Sequence, residues 1–199
     1  MNNFFKIIVI TLISGFTFSQ EQEKPMPAFD ILKKYQNVRD FTISKNQDEI
    51  YFTIQNPSEE RAVIAVIKKK KKRWSEPEMT SFSGNYRNIE PFLTQDGLRL
   101  YFASNRPIND TTTNAKDYDI WYVERKDLKS KWSKPITIRP PENATNNKFY
   151  PSVTMKGNLY FTSDAIKTLG KDDILVCKWD GKQYIEPENL GMNINSTGY

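Results

Sequence analysis

The sequence predicts an all-β protein built from three repeated units of four antiparallel strands, and two recurring markers carry that expectation. The first is an apolar-aromatic-aromatic triplet, found as Ile50-Tyr51-Phe52, Leu100-Tyr101-Phe102 and Leu159-Tyr160-Phe161. The second follows each triplet in the same order: Trp74-Ser75-Glu76-Pro77, Trp132-Ser133-Lys134-Pro135 and the weaker Tyr184-Ile185-Glu186-Pro187. Copies recur at roughly 50 to 60 residues, the period of propellers, solenoids and arrays, whose units bury their faces only against neighbours. Helical periodicity is scarce after Tyr35, and short strand-like runs bounded by turn residues take its place.

Residues 1–19 are expected to be a secretory signal peptide. One cation at Lys6 precedes the mostly apolar run Ile7 to Phe18, and Thr17 and Ser19 occupy the small-residue positions before a cleavage ahead of Gln20. A membrane anchor is the rival reading, but about 12 apolar residues fall short of the roughly 20 a spanning helix needs. No cysteine lies near the cleavage position to take a lipid. Residues 20–39 form a lead-in: Gln20 to Pro27 is polar and proline-bearing, and Ala28 to Tyr35 offers Phe29, Ile31, Leu32 and Tyr35 for one or two helical turns packed on the repeats.

The three units are assigned to residues 40–90, 91–150 and 151–199. The second is the clearest. Ile89 to Thr94 reads as its first strand, followed by the turn Gln95-Asp96-Gly97, where glycine takes positive φ without a Cβ penalty. Leu98 to Ser104 is the second strand, the polar loop Asn105 to Lys116 leads to the third at Tyr118 to Glu124, and Trp132 to Arg139 is the fourth. The third unit repeats this parse with Tyr150 to Thr154, the turn Met155-Lys156-Gly157, Asn158 to Ser163, Asp173 to Lys178 and Gln183 to Asn189. The first has diverged, with Lys45 to Asp48 in place of the glycine turn, as terminal units of arrays do. Four strands per unit match a propeller blade.

The run Glu90-Pro91-Phe92-Leu93-Thr94-Gln95-Asp96-Gly97-Leu98-Arg99-Leu100-Tyr101-Phe102-Ala103-Ser104-Asn105-Arg106, with Asp119-Ile120-Trp121-Tyr122-Val123 after it, closely resembles the TolB-type, WD-like propeller repeat. The third unit keeps Pro151, Gly157, Leu159-Tyr160-Phe161, Ser163-Asp164 and Asp173-Ile174 of that pattern but has Lys156 at the turn aspartate. The resemblance covers most of residues 40–199 and implies a β-propeller with about six blades in full-length relatives. Some relatives carry a peptidase or a peptidoglycan-binding domain downstream. Three blades cannot close a ring of the usual four to eight, so the ring is expected to be incomplete. The chain reads as the N-terminal part of a longer protein or the product of a truncated gene, with closure by oligomerisation as the alternative.

The formal charge of +5 is accounted for by six consecutive cations, Lys68 to Arg73. They lie between the apolar strand Ala62 to Ile67 and the Trp74 marker, so a solvated hairpin tip is preferred over a nucleic-acid surface, and no nucleic-acid partner is expected. The lone Cys177 excludes an internal disulfide framework and, within the run Asp173 to Cys177, reads as a small buried hydrophobe.

Histidine is absent, which removes Ser-His-Asp triads, Cys-His dyads and the usual zinc ligand sets. The remaining acid candidates, Asp117 with Asp119 and Asp172 with Asp173, precede the third strand in successive units, so a structural role repeated per blade explains them better than glycoside hydrolysis. They lack the further ligands of a calcium loop. No catalytic residue, metal site or cofactor is expected.

Binding is assigned to the rim that carries the loops between second and third strands, where the family engages partners: Asn105, Arg106 and Asp164 start those loops. The loop Pro107 to Lys116 is long and polar, a place where recognition concentrates. Within it, Asp110-Thr111-Thr112 resembles the O-glycosylation acceptor of exported Bacteroidetes proteins, and Asn143-Ala144-Thr145 is an Asn-x-Thr match of less weight. The expected function is an exported, non-enzymatic scaffold for protein–protein contacts in the periplasm or at the cell surface. The alternatives are the propeller part of a peptidase or carboxylate-based glycoside hydrolase, or a carbohydrate-binding module. Partners are therefore protein or glycan, with no membrane span after signal cleavage.

Overall fold

The computed structural model describes residues 29–107, 117–138, 146–164 and 168–198. The expected signal peptide, the lead-in up to residue 28, most of the loop 105–116 with its Asp110-Thr111-Thr112 motif, and the Asn143 motif lie outside the described residues. The chain divides into two compact units, Met1–Asp30 and Ile31–Tyr199, and every strand belongs to the second. The expected helical turns reduce to a single 3-10 turn at Asp30–Leu32, with no buried residue.

The strands form three antiparallel sheets in chain order. The first contains β1 (Asn37–Ile43), β2 (Glu49–Gln55) and β3 (Ala62–Lys70), with β4 (Arg73–Trp74) and β5 (Glu78–Met79) both pairing with β3. The second runs β6 (Asn88–Leu93), β7 (Arg99–Ser104), β8 (Asp119–Glu124) and β9 (Ile136–Thr137). The third runs β10 (Lys148–Val153), β11 (Leu159–Ser163), β12 (Asp173–Cys177) and β13 (Glu188–Asn189). This is an incomplete set of antiparallel β-propeller blades, as the repeat predicts, with four strands in the second and third sheets and five in the first.

The fourth strands are much shorter than expected, and the Trp-Ser-x-Pro marker is the reason. In every sheet only two residues pair at that edge: Glu78 and Met79 against Val66 and Ala65, Ile136 and Thr137 against Tyr122 and Trp121, Glu188 and Asn189 against Val176 and Leu175. Just before each pair stands the marker proline, Pro77, Pro135 or Pro187, which has no N–H for a ladder. The marker serine compensates locally. Ser75 Oγ accepts the Lys68 N–H at 3.1 Å and Ser133 Oγ accepts the Glu124 N–H at 3.0 Å, closing the end of the third strand.

The triplet explains how sheets stack. In β7, Leu100 and Phe102 join the cluster shared with the first sheet, beside Tyr51, Ile64 and Val66, while Tyr101 joins the cluster shared with Leu159, Phe161, Leu175 and Cys177 of the third. Period-two alternation thus gives one blade two dry faces. Accordingly β7 is buried along nearly its whole length, whereas β11 alternates buried and half-buried residues, with Tyr160 and Thr162 on its less covered face.

Each innermost strand also carries a bulge at the same place, between Arg39 and Thr42, Ile89 and Phe92, and Phe149 and Ser152. The bulge residues Asp40, Glu90 and Tyr150 have φ of 53°, 58° and 53°, the left-handed region that ordinary residues enter only when packing imposes it.

Candidate functional site

At one end of the sheets, the first hairpin turn of each blade follows a common recipe. Ser44, Thr94 and Thr154 each accept the amide that closes the turn, from Glu49, Arg99 and Asn158 respectively. Three residues on, the chain turns through a left-handed residue whose N–H returns to that Ser or Thr carbonyl: Gly97 at φ 71°, Gly157 at φ 89°, and in the first blade Gln47 at φ 55°. A Cβ on Gly157 would lie 3.1 Å from the Trp179 ring, so glycine is needed there twice over.

The three turns and the end of the β3–β4 hairpin enclose an open groove of about 1140 Å³. Phe92 and Val153 contribute apolar surface to it, Leu128 and Met155 stand 51% and 88% exposed at it, and Lys45, Lys69 and Lys70 are among its cations. Lys71 and Lys72, at φ 55° and 144°, turn the β3–β4 hairpin, so the lysine block is indeed a hairpin tip.

Beside the groove, the first two blades are clamped by an ion pair. Arg125, with its side chain only 2% exposed, donates Nη2 to Glu49 Oε2 at 2.6 Å and Nη1 to Oε1 at 3.3 Å, while Nε donates to the Gly97 carbonyl at 2.8 Å. The guanidinium lies 4.4 Å from the Trp132 ring centroid. Lys68 adds a second cation to Glu49 at 3.1 Å. Burial works to raise the Glu49 carboxyl, but the hydrogen bonds from Arg125 and Lys68 outweigh it and hold it below the ordinary range. No sequence pattern links Glu49 to Arg125, because the pair depends on how one blade stacks on the next.

The bulges bring a second polar group together. Glu90, 4% exposed, accepts the Tyr150 N–H at 2.6 Å and faces Arg39 Nη2 at 3.8 Å, while Arg39 pairs with Asp40 at 2.7 Å and donates to the Tyr150 hydroxyl at 3.2 Å. One carboxylate therefore touches the innermost strands of the first and third blades. Burial pushes it up to about 7 against the opposing Tyr150 hydrogen bond.

At the opposite end lie the residues assigned to the rim. Asn105 exchanges hydrogen bonds with the Arg87 backbone, its side-chain oxygen accepting the Arg87 N–H at 2.9 Å. Asp164 holds Asn147 in the same way one blade later, accepting from its N–H at 2.7 Å and its Nδ2 at 2.9 Å. Arg106 turns inward, donating to Ser104, Asn88 and the Phe82 carbonyl, with its guanidinium 5.3 Å from the ring centroids of Phe102 and Trp121. Burial pulls its pKa down to about 10. The three do not converge on one site. Each fastens the foot of a blade.

One acid of each candidate pair is likewise engaged. Asp119 accepts Lys148 Nζ at 2.7 Å, and Asp173 accepts the Leu169 and Gly170 N–H groups and Asn189 Nδ2. Although they hold equivalent positions, opposite Ser104 and Ser163, they make different bonds.

No protein-family model matches the chain, and no curated protein matches it. Among solved structures, a chain from a structural and mechanistic study of two prolyl endopeptidases is similar with a TM-score of 0.50 and 17% identity, over 80% of this chain and 22% of that one. Prolyl endopeptidase has a β-propeller domain, so the likeness agrees with the sheet topology in defining an incomplete β-propeller. This chain spans about a fifth of that structure's length.

Proposed function

We propose that the chain is an exported, non-enzymatic propeller scaffold that makes protein–protein contacts in the periplasm or at the cell surface. The observation that carries this reading is the groove where three hairpin turns meet: it is wide, of mixed polarity, and framed by rigid strands. The engagement of Asp119 by Lys148 and of Asp173 by Asn189 supports the same side of the argument, since both carboxylates are committed to internal bonds. Export rests on the N-terminal sequence alone. Expression in a Gram-negative host followed by mass spectrometry of the mature N-terminus tests it, with Gln20 as the expected first residue and an intact Met1 as the result that sinks it.

The likeness to a prolyl endopeptidase favours a second reading, in which this propeller serves a hydrolase whose reacting groups lie on another segment. Extending the reading frame past Tyr199 and assaying its whole product with proline-containing peptides and model glycosides separates the two. Turnover that survives repurification defeats the scaffold reading.

A further inference from the structure

Resting on the scaffold reading, we propose that the groove at the hairpin-turn end binds an acidic polypeptide segment bearing an apolar side chain. Cations outnumber carboxylates six to four among the charged residues of the lining. Glu49 is paired with Arg125 and Lys68 and Glu124 with Arg99, while Asp48 and Asp96 accept hydrogen bonds from the neutral Ser44 and Thr94 hydroxyls and the Leu98 N–H and keep their charge. Lys45, Lys69 and Lys70 have no carboxylate partner among the described residues, and Lys69 instead lies 5.6 Å from the Trp74 ring centroid. The lining therefore keeps a net positive charge towards whatever enters.

The lining also holds accessible apolar side chains. Met155 and Leu128 are large side chains left 88% and 51% exposed, and Phe92 and Val153 are half-buried in the same lining. Burying two such side chains contributes on the order of 2 kcal/mol or more, which a ligand made only of charge does not collect. The volume of about 1140 Å³ exceeds the roughly 300 to 1,000 Å³ of small-molecule sites. An extended chain carrying both carboxylates and apolar residues offers a partner to each kind of lining group. Nucleic acid would satisfy the lysines and leave the methionine and leucine side chains unused.

Individual exposed ion pairs contribute little, roughly 0.2 to 1 kcal/mol each, so the complex is expected to be of micromolar order and to weaken with salt. The test is fluorescence anisotropy of the whole chain with a short labelled peptide alternating Glu and Leu. Controls are its Lys/Leu counterpart, an all-Glu peptide and a single-stranded DNA oligomer. Lys45→Glu/Lys70→Glu and Met155→Asp alter exposed side chains, and circular dichroism checks that both variants remain folded.

The expected result is saturable binding of the Glu/Leu peptide, weakened about tenfold or more by the lysine double variant, weakened also by Met155→Asp, and absent for the Lys/Leu peptide. Equal binding by the lysine variant, equal binding of the Lys/Leu or all-Glu peptide, tighter binding of DNA, or no binding at all overturns the proposal and leaves the scaffold reading standing. Cleavage of the peptide, followed by mass spectrometry in the same samples, overturns the scaffold reading instead. The lysine dependence stays readable in that event.

Discussion

The two junctions between blades occupy the same positions in the repeat and are held by different chemistry. Between the first and second blades, Tyr51 meets Trp132, ring centroids 6.0 Å apart, with the Trp132 Nε1–H donated to the Tyr51 hydroxyl at 3.3 Å, and the Glu49–Arg125 pair lies beside them. Between the second and third, Tyr101 meets Tyr184 through hydroxyls 3.1 Å apart, and Arg99 lies 5.9 Å from the Trp179 ring centroid. The triplet tyrosine of one blade thus always receives the marker aromatic of the next. The repeat preserves a geometry of stacking, and the ion pair or hydroxyl that fills it is local.

If that contrast is right, Arg125→Leu has the largest effect on the first junction. It leaves Glu49 largely buried with only Lys68 as partner, and a loss of about 3 kcal/mol is expected. Urea unfolding followed by tryptophan fluorescence measures it, and a loss below about 1 kcal/mol would mean that the pair barely offsets its own desolvation.

Glu90→Gln comes next and probes the group that joins the innermost strands. Burial raises the folded carboxyl to about 7, above the roughly 4.3 of an unfolded one. The stability it contributes is fully present below about 4.3 and declines as pH rises towards 7, because the folded protein must then give up a proton from a buried site. The glutamine keeps an acceptor for the Tyr150 N–H without the charge. The variant should lose this slope and be the more stable by about 2 kcal/mol near pH 8. Unfolding midpoints across that range check it, and parallel pH profiles for the two proteins would refute it.

The second junction should respond more mildly. Tyr101→Phe and Tyr184→Phe each remove one hydroxyl of a pair and should cost about 1 kcal/mol. A double-mutant cycle should show coupling of similar size, and additive losses would show that the hydroxyls do not interact.

The smallest effect is a gain: Gln47→Gly relieves a left-handed non-glycine residue in the first hairpin turn and should stabilise by about 0.5 to 1 kcal/mol. The equivalent Gly157→Gln should destabilise, because φ is 89° there and the Trp179 ring is already in the way. Thermal midpoints of both variants decide it.

Much of the fold was legible because repetition exposes it. The triplets fell on β2, β7 and β11, and the Gln95-Asp96-Gly97 turn on the β6–β7 hairpin. The fourth strands were read too long because Trp132 looks like a strand residue, while its neighbour Pro135 breaks the ladder and its ring packs on Tyr51 and Arg125 instead. The bulges at Asp40, Glu90 and Tyr150 were invisible, since none is a glycine and the strain is imposed by packing. The rim residues show the same gap between position and role. Asn105 and Asp164 stand at loop starts as read, yet spend their side chains on Arg87 and Asn147. The groove was missed because its lining comes from turns far apart in the chain.

Cys177 gives the second junction its own reporter. Its side chain is buried among Leu159, Phe161 and Leu175, and burial pushes the thiol up to about 12, so neither access nor ionisation favours reaction in the closed state. An alkylating reagent therefore marks the molecule only when the last two blades part. The labelling time course becomes a clock for that opening, with a single native thiol and nothing added to the chain.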